Sequence, residues 1–187
     1  MPRFPELYVL RHGQTTWNAE NRLQGLLNSP LTAKGEMQAA RQFEILRSRD
    51  LTGFAAVSSP QGRAIQTAGI ALAGLVDTVR TDDRLCEIDV GDWSGLSRSD
   101  LPTFDGEDPL LALYNHAPGG EGLIRLRARC VDFLNHLTGP SILVTHGITS
   151  RTLRSLATVD EASTPVSVGG GQGCVYHIKD GVQNLLE

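Results

Sequence analysis

Two histidines and two arginines supply the residue types that phosphoryl chemistry needs. His12 and His146 each end a short apolar run and precede a glycine, Arg11 stands directly before His12, and Arg63 follows a third apolar run. A neutral imidazole is a nucleophile at neutral pH, and guanidinium groups bind phosphate oxygens as charged, fork-shaped donors. Each residue alone is more often structural or merely exposed, but four at one edge of a fold would indicate a site.

The elements that must position these residues alternate between strand and helix along the 187-residue chain. Strands are predicted at residues 7–10, 54–57, 78–81 and 141–145. Helices are predicted at residues 33–49, 62–73, 123–137 and 148–156. This alternation is typical of an α/β fold, here a three-layer α/β/α sandwich with a mostly parallel central sheet. Ligands bind beyond the carboxyl ends of parallel strands, where both His-Gly pairs would meet.

The spacing of apolar residues also predicts which helix faces are buried, and a further pattern predicts a hairpin at the edge of the sheet. In the first helix Thr32 is the expected cap, and the expected apolar face includes Met37, Ala40 and Ile45. In the second helix, the expected apolar stripe consists of Ile65, Ala68, Gly69 and Leu72. Residues 166–168 and 174–178 are predicted to form an antiparallel hairpin at the edge of the sheet.

Composition excludes several classes of protein. A net charge of −4 and a pI near 5.7 argue against a nucleic-acid binder or a protein of anionic membranes, because both need a basic surface. Three separated cysteines and the lack of a long apolar run predict a cytoplasmic protein with reduced thiols. The five histidines lack the spacing of a metal site, so no metal or other cofactor is expected.

The chain is expected to be a single domain over residues 1–187. After the third strand, residues 82–122 lose their periodicity and are rich in Gly, Pro, Asp and Ser. A segment of this length is usually functional, and we interpret residues 88–122 as a lid or substrate loop with two short helices in the stretch. From Ser99 to Ile124 the sequence has five acidic residues and no Lys or Arg. An acidic cover would repel a second anion, which favours a substrate whose remainder is neutral or cationic. The opposite holds if Arg22 or Arg84 reaches the pocket instead.

Longer motifs around these residues resemble the histidine phosphatase superfamily, in its phosphoglycerate-mutase-like branch. They are LRHGQTTWN at residues 10–18, RLQG at 22–25, SPLTAKG at 29–35, SSP at 58–60 with Arg63, LCE at 85–87, GDWSG at 91–95, PGGE at 118–121 and VTHG at 144–147. The resemblance spans residues 7–178. Gln14 and Gly122 depart from it, where Glu and Ser are common in the family.

The resemblance implies a role for each motif residue. His12 would accept the phosphoryl group, Arg11, Arg63 and His146 would hold its oxygens, and Glu87 would give a proton to the leaving oxygen. Phosphate or substrate contacts are further implied for Asn18, Gln24, Gly25 and Gly147. From the residues alone, Asp89 competes with Glu87 for the role of proton donor. Trp93 is interpreted as a core residue rather than a stacking platform.

These roles imply a metal-independent phosphatase that forms a phosphohistidine and acts on a small phosphomonoester, with inorganic phosphate as product. The chain is short beside the mutases of the family, which favours hydrolysis. Two alternatives are phosphoryl transfer of the phosphoglycerate mutase type and a non-catalytic module that binds phosphate ligands. A homodimer through the C-terminal sheet edge is left open beside a monomer.

Overall fold

The fold is described from a computed structural model, which covers residues 4–104, 108–158 and 170–187. These residues form a six-stranded sheet in the order β3-β2-β4-β1-β5-β6. The strands are β1 (Leu7–Arg11), β2 (Ala55–Ser58), β3 (Val79–Thr81), β4 (Ser141–Thr145), β5 (Val175–Lys179) and β6 (Val182–Leu186). The first four strands are parallel, and the last two join the sheet antiparallel. The predicted α/β fold with a mostly parallel sheet is confirmed.

The two central strands carry the two His-Gly pairs. β1 and β4 pair in register, with Leu7 opposite Ser141 and Arg11 opposite Thr145. The ladder continues one step further, because the amide of His12 donates to the Thr145 carbonyl at 2.9 Å. His12 and His146 therefore leave the sheet side by side at its carboxyl edge.

Helices cover both faces of the sheet. They are α1 (Thr16–Ala19), α2 (Ala33–Leu46), α3 (Gly62–Ala71), α4 (Pro109–Asn115), α5 (Gly122–Asn135) and α6 (Gly147–Ala157). Alternate β1 residues point to opposite faces, so Tyr8 and Leu10 pack in one apolar cluster with α3, and Leu7 and Val9 pack in another with α5 and α6. This arrangement is the predicted sandwich.

The predicted inner faces of α2 and α3 are partly wrong. Met37 of α2 is 66% exposed and Ile65 of α3 is 41% exposed. The buried positions of α2 are instead Gly35, Ala39, Gln42 and Leu46, and those of α3 are Arg63, Ala64, Thr67, Ala68 and Ala71. Small and hydrogen-bonded polar residues face inward, since both helices pack against the polar carboxyl edge as well as the apolar core.

The segment after β3 contains little regular structure, as predicted. In place of the two expected short helices, its described residues contain one short α-helix and three 3₁₀ turns. It forms three 3₁₀ turns, at Asp83–Leu85, Gly91–Trp93 and Arg98–Asp100, before α4. Trp93 is buried in the core cluster, which confirms its structural interpretation.

β5 and β6 form an antiparallel hairpin at the edge of the sheet. Residues 166–168, which were predicted to pair with residues 174–178, lie outside the described residues. The sequence analysis did not predict β6. Across the part of the chain that the model describes, no helix is long and apolar enough to cross a membrane.

Candidate active site

His12 is held as a neutral imidazole. Its Nδ1 donates to the carbonyl of Gly13 at 2.7 Å, so the free lone pair is on Nε2, which accepts from Nε of Arg63 at 3.2 Å. Burial lowers the pKa of His12 well below its usual value, and the charges of Arg63 and Arg11 lower it further. The ring is therefore neutral at neutral pH, with its proton on Nδ1, and His12 lines the pocket.

His146 lies beside His12, with ring centroids 5.1 Å apart. Its Nδ1 accepts from Nε of Arg63 at 3.2 Å, and its Nε2 pairs with Oγ of Ser59 at 2.8 Å. The side chain is fully buried, and burial followed by the charge of Arg63 lowers its pKa well below the usual value. His146 thus holds Arg63 in place and is not among the described residues that line the pocket.

Arg63 links both histidines to a neighbouring loop. Besides its shared Nε–H, its Nη1 donates to the Leu27 carbonyl at 2.6 Å and its Nη2 donates to the Gly25 carbonyl at 3.0 Å. Burial lowers the pKa of Arg63 to about 10, which leaves it charged at neutral pH. The residue is 1% exposed, so its charge is fixed in position and poorly screened by water.

Glu87 is oriented by the first turn of α6. Its carboxylate accepts from the amides of Ile148 and Thr149 at 3.2 and 3.1 Å, and from the Thr149 hydroxyl at 3.1 Å. Its own amide donates to the Gln61 side chain at 2.7 Å. Asp89 lies at a second, neighbouring cavity instead, so the geometry selects Glu87 of the two.

Arg11 and Gly147 close the other side of the site. Nε of Arg11 is buried without a hydrogen-bond partner, a donor that an anionic ligand would satisfy. A Cβ on Gly147 would lie 3.4 Å from both Cζ of Arg11 and Oε2 of Glu87. Glycine therefore lets a ligand approach between these two groups.

The pocket is also lined by the three other residues with implied ligand contacts, Asn18 in α1 and Gln24 and Gly25 in the loop that follows it. Gln24 and Gly25 also brace the pocket. Both polar atoms of the Gln24 side chain are hydrogen-bonded: Nε2 donates to the Thr15 hydroxyl at 2.8 Å, and Oε1 accepts from the Ser29 hydroxyl at 3.2 Å. The Gly25 carbonyl accepts from Arg63, as described above. Oδ1 of Asn18 caps α1 and accepts from Gln172, and its amide nitrogen donates to no protein group within the described part of the chain.

Eight of the nine implied site residues thus surround one pocket of about 110 Å³, and His146 supports it. Comparison with known proteins identifies the family. The family model of the histidine phosphatase superfamily (branch 1) matches residues 7–181. The chain belongs to this superfamily.

Relatives within the histidine phosphatase superfamily have different names. The chain is 37% identical to the "Probable phosphoglycerate mutase GpmB" of Enterobacter sp. (strain 638), over 76% of this chain and 70% of the relative. Among solved structures, a phosphoglycerate mutase from Thermus thermophilus is 33% identical, with a TM-score of 0.71 over 93% of this chain and 92% of that one. A "putative alpha-ribazole-5'-P phosphatase" from Escherichia coli is 26% identical, with a TM-score of 0.79 over 98% and 95%.

The pocket of this histidine phosphatase also has lining residues to which the sequence analysis assigned no role. They are Arg22, Leu23, Val90, Arg98, Tyr114, Ile148 and Arg151. Arg22 is the first residue of the RLQG motif and Arg151 lies four residues after the VTHG motif, so the sequence carries a signal for both. Arg98 and Tyr114 lie in the aperiodic segment, and only the folded chain shows that they reach the pocket.

The expectation of an acidic cover is wrong for the described residues. Residues 88–122 contribute Val90, Arg98 and Tyr114 to the pocket, and no described carboxylate of that segment lines it. Glu121 is instead paired with Arg129 at 2.6 Å. Residues 105–107, with two of the acids, lie outside the described part of the chain. The sequence-based preference for a neutral or cationic remainder therefore loses its support.

Proposed function

We propose that this chain is a metal-independent phosphomonoester hydrolase that acts through a phosphohistidine on a small phosphorylated metabolite. The observation that carries the proposal is the state of His12, a buried neutral imidazole whose tautomer is fixed by Gly13 and whose Nε2 faces the pocket. Neutral imidazole attacks phosphorus without a prior proton transfer.

The first half-reaction forms one bond and breaks another. Nε2 of His12 attacks phosphorus as the ester P–O bond breaks, and the carboxyl group of Glu87 gives its proton to the leaving oxygen. Arg11 and Arg63 supply the positive charge that stabilises the transferring group, a role that a metal ion has in other enzymes. Both guanidinium groups lie in buried surroundings, where water screens their charges weakly.

The second half-reaction restores the enzyme. Water attacks the phosphohistidine as the P–N bond breaks, its proton passes to Glu87, and inorganic phosphate leaves. The hydrogen bonds from the start of α6 keep Glu87 in place for both steps. Phosphoryl transfer of the mutase type is the second candidate, since several curated relatives are named as phosphoglycerate mutases. A cytoplasmic location is also part of the proposal, supported by three cysteines that are all free thiols.

Single-turnover trapping tests the proposal. Wild type and His12→Ala are mixed with p-nitrophenyl phosphate in EDTA, quenched in alkali and analysed for base-stable, acid-labile phosphoprotein. We expect a burst and a label at His12 in the wild type alone. A wild type that hydrolyses the substrate without this label would contradict the mechanism, and a wild type that neither labels nor hydrolyses would favour a non-catalytic module. A labelled enzyme that passes its phosphoryl group to phosphoglycerate faster than to water would favour the mutase.

A further inference from the structure

Gln61 is not among the residues described as lining the pocket, but its side chain hydrogen-bonds to two of the segments that form it. The residue directly precedes α3, and its carbonyl accepts from the amides of Ala64 and Ile65 at 2.8 and 3.1 Å. The main chain of Gln61 therefore belongs to the start of this helix. Its side chain makes no capping bond to the helix, so capping does not explain a glutamine at this position.

The acceptor end of the Gln61 amide group holds the main chain of Glu87. Oε1 of Gln61 accepts from the Glu87 amide at 2.7 Å, across 26 positions of the sequence. The carboxylate of Glu87 is held separately, by the amides of Ile148 and Thr149 at the start of α6. Glu87 is thus fixed at both ends, its side chain by α6 and its main chain by Gln61.

The donor end of the same amide group holds the loop that supports Arg63. Nε2 of Gln61 donates to the carbonyls of Gly25 and Leu26 at 3.0 and 3.1 Å. The Gly25 carbonyl also accepts from Nη2 of Arg63 at 3.0 Å. A continuous chain of hydrogen bonds therefore runs from the Glu87 amide through Gln61 and the Gly25 carbonyl to the Arg63 guanidinium.

The two segments that Gln61 joins are also in close contact. A Cβ on Gly25 would lie 2.7 Å from Cγ2 of Val90, three residues after Glu87, and the φ of Gly25 is +52°. Both the space and the backbone conformation therefore favour glycine here. Gln61 adds polar bonds of defined length and direction to this apolar contact, so that the segments keep one relative position.

Among the common side chains, glutamine is well suited to this position. Its planar amide group has an acceptor and a donor at a fixed separation, whereas glutamate lacks the donor and methionine, of similar length, lacks both. Proton transfer in a reaction depends steeply on position, and a displacement of about 1 Å can lower a rate by about 100-fold. The distance between Glu87 and Arg63 is therefore a quantity that Gln61 can control.

We propose that Gln61 is a positioning residue, which sets the distance from Glu87 to the phosphoryl position beside Arg63 and thereby the rate at which the leaving oxygen receives its proton. It acts through main-chain atoms of other residues and does not contact the substrate. This inference rests on the proposed function, because Glu87 and Arg63 act in the same reaction.

Gln61→Met tests the role, since it removes both the donor and the acceptor from a side chain of similar length. We would measure the single-turnover rate of phosphohistidine formation with glycerol 3-phosphate, which has an alkoxide leaving group, and with p-nitrophenyl phosphate. Because p-nitrophenolate leaves without a proton, we expect the ratio of the first rate to the second to fall by about tenfold. Gln66→Met, at an exposed position of α3 outside the pocket, is the matched control and should keep both rates.

A double-mutant cycle distinguishes positioning from a general effect on the fold. In a Glu87→Gln protein the proton donor is absent, so adding Gln61→Met should change the ratio by less than about twofold. Gln61→Glu keeps an acceptor for the Glu87 amide and loses the donor, so it is expected to lower the ratio by only about threefold. This second variant keeps the test valid if Gln61→Met fails to fold.

The outcomes separate the inference from the proposed function. A phosphohistidine burst in the wild type, with an unchanged ratio in every Gln61 variant that folds, overturns the positioning role and leaves the hydrolase. A fall of about tenfold that persists in the Glu87→Gln background also overturns it, since the effect would not pass through Glu87. Absence of a burst in the wild type with both substrates overturns the proposed function and the inference with it.

Discussion

Nε of Arg63 donates to Nε2 of His12 at 3.2 Å, and at the same distance to Nδ1 of His146. One N–H therefore holds the nucleophilic nitrogen and its neighbour in a fixed relation before any substrate binds. In the proposed reaction, the oxygens of the phosphoryl group replace the imidazole as acceptor, and Nε2 is released for attack. Arg63 would then act as both an orienting and a charge-stabilising group.

Arg63→Lys is expected to lower kcat/KM by about 100–1,000-fold, because an ammonium group cannot replace a planar fork that contacts two rings and two carbonyls. Steady-state kinetics on p-nitrophenyl phosphate would measure this loss. Arg154→Lys is the matched control, since Arg154 is equally buried but lies outside the pocket. Equal losses of activity in the two variants would indicate a general effect on folding and would contradict the role of Arg63.

Glu87→Gln should impair substrates according to their leaving group. An alkoxide needs a proton as it departs, whereas p-nitrophenolate does not, so we expect kcat/KM for an alkyl phosphate to fall by about 100-fold or more and that for p-nitrophenyl phosphate to fall much less. Single-turnover rates isolate the first half-reaction. Glu121→Gln, in a salt bridge outside the pocket, is the control. A uniform loss on both substrates would show that Glu87 is not the proton donor.

Two central residues of this site could be predicted because each directly follows a strand, His12 after β1 and His146 after β4. Once β1 and β4 are recognised as parallel neighbours, His12 and His146 must lie together, whatever the loops do. The helix faces were harder to predict. Gln42 is buried in α2 because it donates to the carbonyls of Arg11 and Cys174 at 2.9 and 3.0 Å, and no periodicity of apolar residues reports such a contact.

The position of Arg98 at the pocket could not be predicted from the spacing of residues. Arg98 reaches it because residues 95–98 pair with residues 21–23, more than 70 positions apart, within a segment that lacks periodicity. Charge counting along residues 99–124 therefore failed to predict the charge of the pocket, because none of the described acids in that segment lines it. Local composition shows what a segment contains but not which side chains it turns toward a site.

Acid should destabilise the fold through the two buried histidines. Their folded pKa values lie well below the unfolded value of about 6.5, so below that pH the unfolded chain takes up protons that the native state does not. Stability is full well above pH 6.5 and falls as the pH drops through that value, with a limiting slope of about 1.36 kcal/mol per pH unit for each histidine, or about 2.7 for both.

Urea unfolding between pH 7.5 and 5 would measure this slope. His12→Gln is expected to halve the loss per pH unit, because one of the two buried titrating groups is gone. His136→Gln, at an exposed position, serves as the control and should keep the wild-type slope. A wild-type free energy of unfolding that stays constant from pH 6.5 to 5 would rule out the buried neutral state of both rings.

The contact between Gly13 and Gly35 sets how closely α2 approaches the nucleophile. A Cβ on Gly13 would lie 2.2 Å from the Gly35 carbonyl oxygen, and no side-chain rotation relieves a clash with backbone. Gly13→Ala is therefore expected to cost about 1–3 kcal/mol of stability and to move the carbonyl that orients His12, so that activity falls as well. Gly69→Ala, where an added Cβ meets nothing within 4 Å on α3, should instead raise stability by about 0.5–1 kcal/mol and leave kcat/KM unchanged. Thermal unfolding and steady-state kinetics would measure the stability and activity of both variants. A Gly13→Ala protein as stable and active as wild type would show that α2 can move away without disturbing the site.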